Sequence, residues 1–227
     1  AALAAGRRSG RGARLCRRAT EEKLVKELKG FPDNYDADDM DDITKVLKKM
    51  PKADDSCYEQ LVGDWKVEWS TLGGNAFPKK PKKPSNMKFL SFGALPAANV
   101  MIVGSYNRVS DTREGGSGDV SGVYDLVQVF ELPDKPGVQA AMVLTGSWSC
   151  GAGASGEWGK GAERKRCGVQ FETVRVVPSS EDTDASLDMI KEAGLAGAAE
   201  PVSLQAKATY IDIDYMSPAM RVPGRRC

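Results

Sequence analysis

The stretch Leu61-Val62-Gly63-Asp64-Trp65-Lys66-Val67-Glu68-Trp69-Ser70-Thr71 divides the chain. Before it the sequence reads as helix, and after it as strand and turn. Within it Trp65, Val67 and Trp69 alternate with Lys66 and Glu68, the period-two pattern of a half-buried strand. A bulky aromatic just past Gly63 suits the first strand of a small barrel, where it plugs the closed end. The Trp65 indole needs an acceptor for its N–H and cover for its outer ring face. Arg221, in the final segment Asp214-Tyr215-Met216-Ser217-Pro218-Ala219-Met220-Arg221, is the candidate partner. A guanidinium stacked on that ring would join the first strand to the last. Gly63, Trp65 and Arg221 are therefore the expected barrel closure.

Upstream, residues 1–19 carry six arginines and no acid among Ala, Gly and Ser, as in a basic disordered arm or a transit-peptide remnant. Residues 20–56 read as a helical segment. Thr20 can cap a first short helix that ends at Gly30. Met40, Ile43, Val46, Leu47 and Met50 fall at helical spacing in a second one, which Pro51 stops. Its acids lie at the start and its lysines at the end, matching the helix dipole. Capping explains that acidic run better than an EF-hand loop, which would lack its Gly and its final Glu.

Downstream, residues 57–225 read as a mainly β domain. Strands are expected at 65–70, 87–92, 100–109, 119–131, 139–148, 167–177, 202–213 and 215–221. Turns of hairpin length join most of them, which predicts an antiparallel up-and-down β-barrel behind the two helices. Two insertions interrupt it. Residues 72–86 form a Pro/Lys loop that cannot enter a sheet interior. Residues 178–200, acidic and rich in Ala and Gly, read as a mobile excursion with a weak helix near 186–193.

Composition removes several classes of function. The 32 basic and 31 acidic residues leave a net charge of +1, which argues against a nucleic-acid partner. Histidine is absent, so no Ser-His-Asp or Cys-His centre exists. No apolar run reaches the roughly 18–20 residues of a membrane span, so any membrane contact is peripheral. The five cysteines include no Cys-x-x-Cys, which speaks against a metal cage. Cys150 and Cys167 flank a Gly-rich segment and form a possible disulfide if their Cα atoms approach within about 7 Å. Residues 115–118 and 151–156 are Gly-rich but lack the Gly-Lys-Ser/Thr ending of a phosphate loop. No catalytic residue and no metal ligand is assigned, and no cofactor is required.

Two surfaces remain as candidates. An apolar interior lined by Trp65, Val67, Trp69, Tyr124, Phe171, Tyr210 and Tyr215 would suit a lipid-like ligand. A barrel filled by its own side chains explains the same residues. Lys79, Lys80, Lys82 and Lys83 on the stiff loop, with Arg164, Lys165 and Arg166, offer contacts to anionic headgroups or an acidic partner.

Taken together, these segments resemble the plastid lipid-associated protein family, the plastid fibrillins. Leu61, Gly63 and Trp65 match a Leu-x-Gly-x-Trp strand start. Val123, Tyr124, Leu126 and Val129 match a Val-Tyr-x-Leu-x-x-Val segment. Val169-Gln170-Phe171-Glu172-Thr173-Val174-Arg175 matches Val-x-Phe-Glu-x-x-Arg. Thr209-Tyr210-Ile211-Asp212 and Met220-Arg221-Val222-Pro223-Gly224-Arg225 stand where the family has its closing signature. The resemblance implies a lipocalin-like barrel in a plastid (a chloroplast), on thylakoids or plastoglobules, binding lipid, isoprenoid, carotenoid or chlorophyll. An alternative is an accessory subunit docked on a photosystem or antenna complex. A small enzyme on the same scaffold is the weaker alternative.

Overall fold

The computed structural model describes residues 21–24, 26, 45, 50, 60–67, 69–70, 74–75, 84–111, 120–150, 165–216 and 221–223. The chain divides into two units, Ala1–Ala53 with Glu68–Pro81, and Asp54–Val67 with Lys82–Cys227. In the first, residues 21–24 and 26 are helical, with Leu24 and Met50 buried. Trp69–Ser70 (β2) pairs with Gly74–Asn75 (β3) in a two-stranded antiparallel sheet.

The second unit is mainly β. Its strands are Gly63–Lys66 (β1), Ser85–Asn86 (β4), Asn99–Asp111 (β5), Val120–Glu131 (β6), Ala140–Cys150 (β7), Lys165–Pro178 (β8), Val202–Ser203 (β9), Thr209–Met216 (β10) and Arg221–Pro223 (β11). Among the described residues these nine form one antiparallel sheet in the order β1-β5-β6-β7-β8-β10-β11, with β4 beside β5 and β9 beside β8. Long β5 to β8 follow from dense Val, Ile, Tyr and Phe. The β6–β7 turn forms around Pro133 and Gly137, where Lys135 N–H meets the Leu132 carbonyl at 3.0 Å. β1 and β11 stand at the two ends of the hydrogen-bonded order.

The core lies along one face of β5 to β8. Val109, Phe130, Met142, Leu144, Trp148, Val169, Val174 and Val176 are all buried there. Trp148 donates its indole N–H to the Ser110 carbonyl at 2.9 Å, so the largest buried ring leaves no stranded donor.

Residues 87–92, expected as a strand, are instead a helical turn. Helix α1, Met87–Leu90, is capped by Asn86, whose Oδ1 accepts the Lys88 N–H at 2.9 Å. Six residues are too few to separate period 2 from period 3.6, and the cap decides. Residues 178–200 contain the helix expected near 186–193, starting earlier and packed on the sheet. It is helix α2, Thr183–Glu192, capped by Asp182 through the Ala185 N–H at 3.0 Å. α2 lies against β7 and β8 and buries Met189 and Ile190.

Both helices end in the same motif. After α2, Leu195 N–H returns to the Ile190 carbonyl at 2.9 Å and Gly194 N–H to Lys191 at 3.0 Å. After α1, Gly93 N–H returns to Lys88 at 2.8 Å and Phe92 N–H to Phe89 at 3.2 Å. These are the paired bonds of a Schellman cap, whose pivot residue adopts left-handed backbone angles. Gly194 sits there at φ 72°, and Phe92 at φ 54°.

The expected strand 202–213 breaks in two. Val202 and Ser203 pair with β8, and the next ladder starts at Thr209 opposite Val169. Among the described residues, no helix is long and apolar enough to cross a membrane.

Candidate functional site: one face of the sheet

Strand pairing arranges side chains in rows. One row runs Gly63, Val109, Tyr124, Gly146, Phe171. The next runs Trp65, Asn107, Leu126, Leu144, Val174. A third holds Ser105, Gln128, Met142 and Val176. Residues two apart on a strand share a face, so these rows share one face. β8 moves from Phe171 to Val174 without changing face, because a bulge leaves Glu172 unpaired between them.

Aromatic rings gather at one point on this face. Tyr124 and Phe171 meet edge to face, centroids 6.0 Å apart, across a Gly146 that puts no side chain between them. Phe92, from the α1 knuckle, stacks on Phe171 at 6.2 Å. Such pairs add roughly 0.5–1.5 kcal/mol beyond area burial. Tyr124 and Phe171, both nominated from sequence, are therefore brought together.

The other nominees separate. Trp65 is half-buried on the same face, beside Asn107. Its indole donates to the Leu61 carbonyl at 2.8 Å, four residues back rather than at the far end of the chain. Gly63, at φ 137°, makes the bend between them, conformational space that favours glycine. Val67 continues β1 through a bond from its N–H to the Ser105 carbonyl at 2.9 Å. Trp69 belongs to the first unit and not to this sheet. Tyr210 pairs with Gly168 while its neighbour Thr209 pairs with Val169, so it lies on the opposite face. Arg166, nominated as a partner handle, lies over that ring at 3.8 Å. Tyr215 is buried beside Ile213 on β10. Arg221 pairs with Met216 through its backbone, and its side chain lies outside the described residues. So does its stacking on Trp65. Lys79, Lys80, Lys82, Lys83 and Arg164, the run 33–44 and the cysteines 16, 57 and 227 also lie outside them. Lys165 opens β8 opposite Ile213.

Cys150 and Cys167 stand directly opposite on β7 and β8, Cα atoms 4.3 Å apart, and their sulfurs are bonded. Both are buried. The bond closes the base of the Gly-rich connection. Among the described residues no three His, Cys, Asp or Glu side chains gather as a metal-holding group.

Two polar residues on the apolar face had not been nominated. Asn107 is 8% exposed, among apolar neighbours in its row. Gln128 lies between Ser105 and Met142, and its Oε1 is buried with no hydrogen-bond partner. The signal was present in the phase Tyr124, Leu126, Gln128, Phe130, which sets Gln128 among inward residues. Its neighbours Val127 and Val129 hide that phase, because they make the segment read as apolar throughout.

No family model matches the chain, and neither a curated protein nor a solved structure matches it.

Proposed function

We propose that the chain is a non-enzymatic, fibrillin-like plastid protein that binds a lipid, isoprenoid or pigment at the thylakoid surface. In this reading the sheet closes into a lipocalin-like up-and-down barrel, with the first and last strands as the seam. The resemblance along residues 20–225 motivates the family. The observation that supports ligand binding is the unmatched Gln128 amide oxygen on an apolar, aromatic face. Leaving such a group without a partner costs roughly 1–3 kcal/mol. A bound molecule with an apolar body and one hydroxyl or amide N–H would satisfy that oxygen.

Natively purified protein, extracted into organic solvent and examined by mass spectrometry and absorption, tests the reading. The expected result is a stoichiometric apolar molecule carrying one such polar group. Gln128→Leu should keep the fold and lower that occupancy. An empty extract overturns ligand binding. Empty protein that migrates with photosystem or antenna complexes on a native gel would favour the accessory-subunit reading instead.

A further inference from the structure

α1 is four residues long, yet it is held firmly. Met87 and Leu95 are buried, as is Ser91, whose hydroxyl accepts the Leu95 N–H at 3.0 Å. The Met87 N–H bonds to the Ala98 carbonyl at 2.8 Å, and β4 pairs Ser85 with Val100. On this anchored base two large apolar side chains are exposed, Phe89 almost wholly and Phe92 on the part that does not meet Phe171. Phe89 is 83% exposed and Phe92 is 59% exposed, the highest values among the large exposed hydrophobic residues described. Single exposed apolar residues are ordinary, but two rings presented together by one anchored turn are not.

Phe92 adds a second, independent observation. It holds the left-handed pivot of the helix cap, a position usually given to Gly or Asn. A β-carbon there costs free energy that the neighbouring Gly93 would have avoided. The ring rests on Phe171, and 59% of the residue still stays in water, which leaves most of that strained side chain free to meet something outside the fold.

Charge identifies the occupant. From Pro84 to Ser110 the sequence contains no Asp or Glu; its cations are Lys88 and Arg108, the latter paired with Asp64 at 3.0 Å, and the lysines 79, 80, 82 and 83 precede it in sequence, outside the described residues. Lys88 is exposed on α1 itself. Two exposed rings beside the exposed Lys88, on a turn without acids, match an anionic bilayer, whose acyl boundary takes the rings and whose headgroups take the ammonium. We propose that the α1 knuckle is the contact of this protein with an anionic lipid surface. Phe89 and Phe92 enter the interface, and Lys88 engages the headgroups. The inference rests on the lipid-surface reading above and names the residues that make that contact.

The test is flotation of the full chain with vesicles of phosphatidylglycerol and phosphatidylcholine, and with vesicles of phosphatidylcholine alone. Wild-type protein should float with the anionic vesicles and much less with the neutral ones. Phe89→Ser and Phe92→Gly should each lower partitioning about tenfold, the worth of removing one ring from an apolar phase. Leu187→Ser removes an exposed apolar residue from α2 and should leave flotation unchanged. Far-UV circular dichroism should be the same for all four proteins. Both Phe variants floating like wild type overturns the proposal. Equal binding to neutral vesicles overturns the assigned occupant. Concentration-dependent dimerisation without flotation, lost in Phe89→Ser, assigns the knuckle to a second copy and also overturns it. Extraction separates the two readings. Phe89→Ser that still carries its apolar ligand but no longer floats leaves ligand binding intact. An empty chain that floats through Phe89 and Phe92 rejects ligand binding and retains the knuckle.

Discussion

α1 and α2 are built from the same parts and turned to opposite ends. Each opens on an Asx side chain that caps a backbone N–H, and each closes on a Schellman pair around a left-handed residue. α2 places Gly at that pivot and directs its apolar side inward, with Met189, Ile190 and Leu195 nearly inaccessible. α1 places Phe at the pivot and leaves two rings largely exposed, one of them resting on Phe171. In α2 the cap, the pivot and every large apolar side chain but Leu187 agree with burial. In α1 the capping agrees, the pivot residue does not, and the apolar surface stays in water. Local agreement marks an element that serves the fold, and a local conflict marks where to look for function.

Substitutions can break or sharpen this contrast, and the first should have the largest effect. Met189→Ala empties a fully buried site under α2 and should cost about 2–5 kcal/mol in urea unfolding. Phe89→Ser should fall within about 0.5 kcal/mol of wild type, as surface changes do. Equal losses at the two sites would erase the distinction between the helices.

Gly194→Ala isolates the pivot itself. A β-carbon at Gly194 meets nothing within 4 Å, so only the backbone penalty at φ 72° remains. That penalty is about 1–2 kcal/mol. An unchanged unfolding midpoint would mean that left-handed strain is not felt here, and the reasoning at Phe92 would fail with it.

Phe92→Gly is the converse. It relieves the pivot and gives up the contact with Phe171, two effects of about 1 kcal/mol each and opposite sign. Stability should stay within about 1 kcal/mol of wild type. A larger loss would make Phe92 a core residue.

The smallest effect concerns how α2 is tied to the β6–β7 turn. Lys135 bonds to Glu192, which, with the nearby charges of Glu192, Asp134 and Asp188, raises its pKa above the usual 10.5. A raised lysine contributes fully below its unfolded value and loses the contribution as pH rises through the folded value. Lys135→Met should therefore lower the melting temperature slightly at about pH 8 and not at about pH 12. A difference that is the same at both pH values would discard the ion pair as its cause.

Reading the chain went well where one period ran long enough. Val123 to Phe130, Ala141 to Trp148 and Val169 to Val177 carry enough β-branched and aromatic residues to mark β6, β7 and β8 to within a few residues. It went less well where the element was one turn. Met87, Phe89 and Ser91 alternate with Lys88, Leu90 and Phe92, and only Asn86 and Gly93 betray a capped helix. At 202–213 the apolar text runs on, but only Val202 and Ser203 pair before the ladder restarts at Thr209. Sheet faces were illegible for a similar reason. A bulge near Thr145 shifts the phase of β8, and Tyr210 emerges opposite to Phe171. The Trp65 donor found a local carbonyl, because Gly63 lets the chain bend back to Leu61.

The backbone of Gln139 has a consequence for how the molecule assembles. Its carbonyl accepts from the Ser179 N–H, the Ser180 hydroxyl and the Ser186 hydroxyl, and its N–H donates to Ser180. One peptide at the start of β7 thus collects four bonds from residues beyond β8. Those partners lie 40 to 47 residues along the chain, so closing them is entropically expensive until β7 and β8 have zipped. Assembly should follow an order, hairpin first and α2 last. Kinetics would show it: Ser186→Ala should speed unfolding and leave the folding rate alone, whereas Leu144→Ala should slow folding.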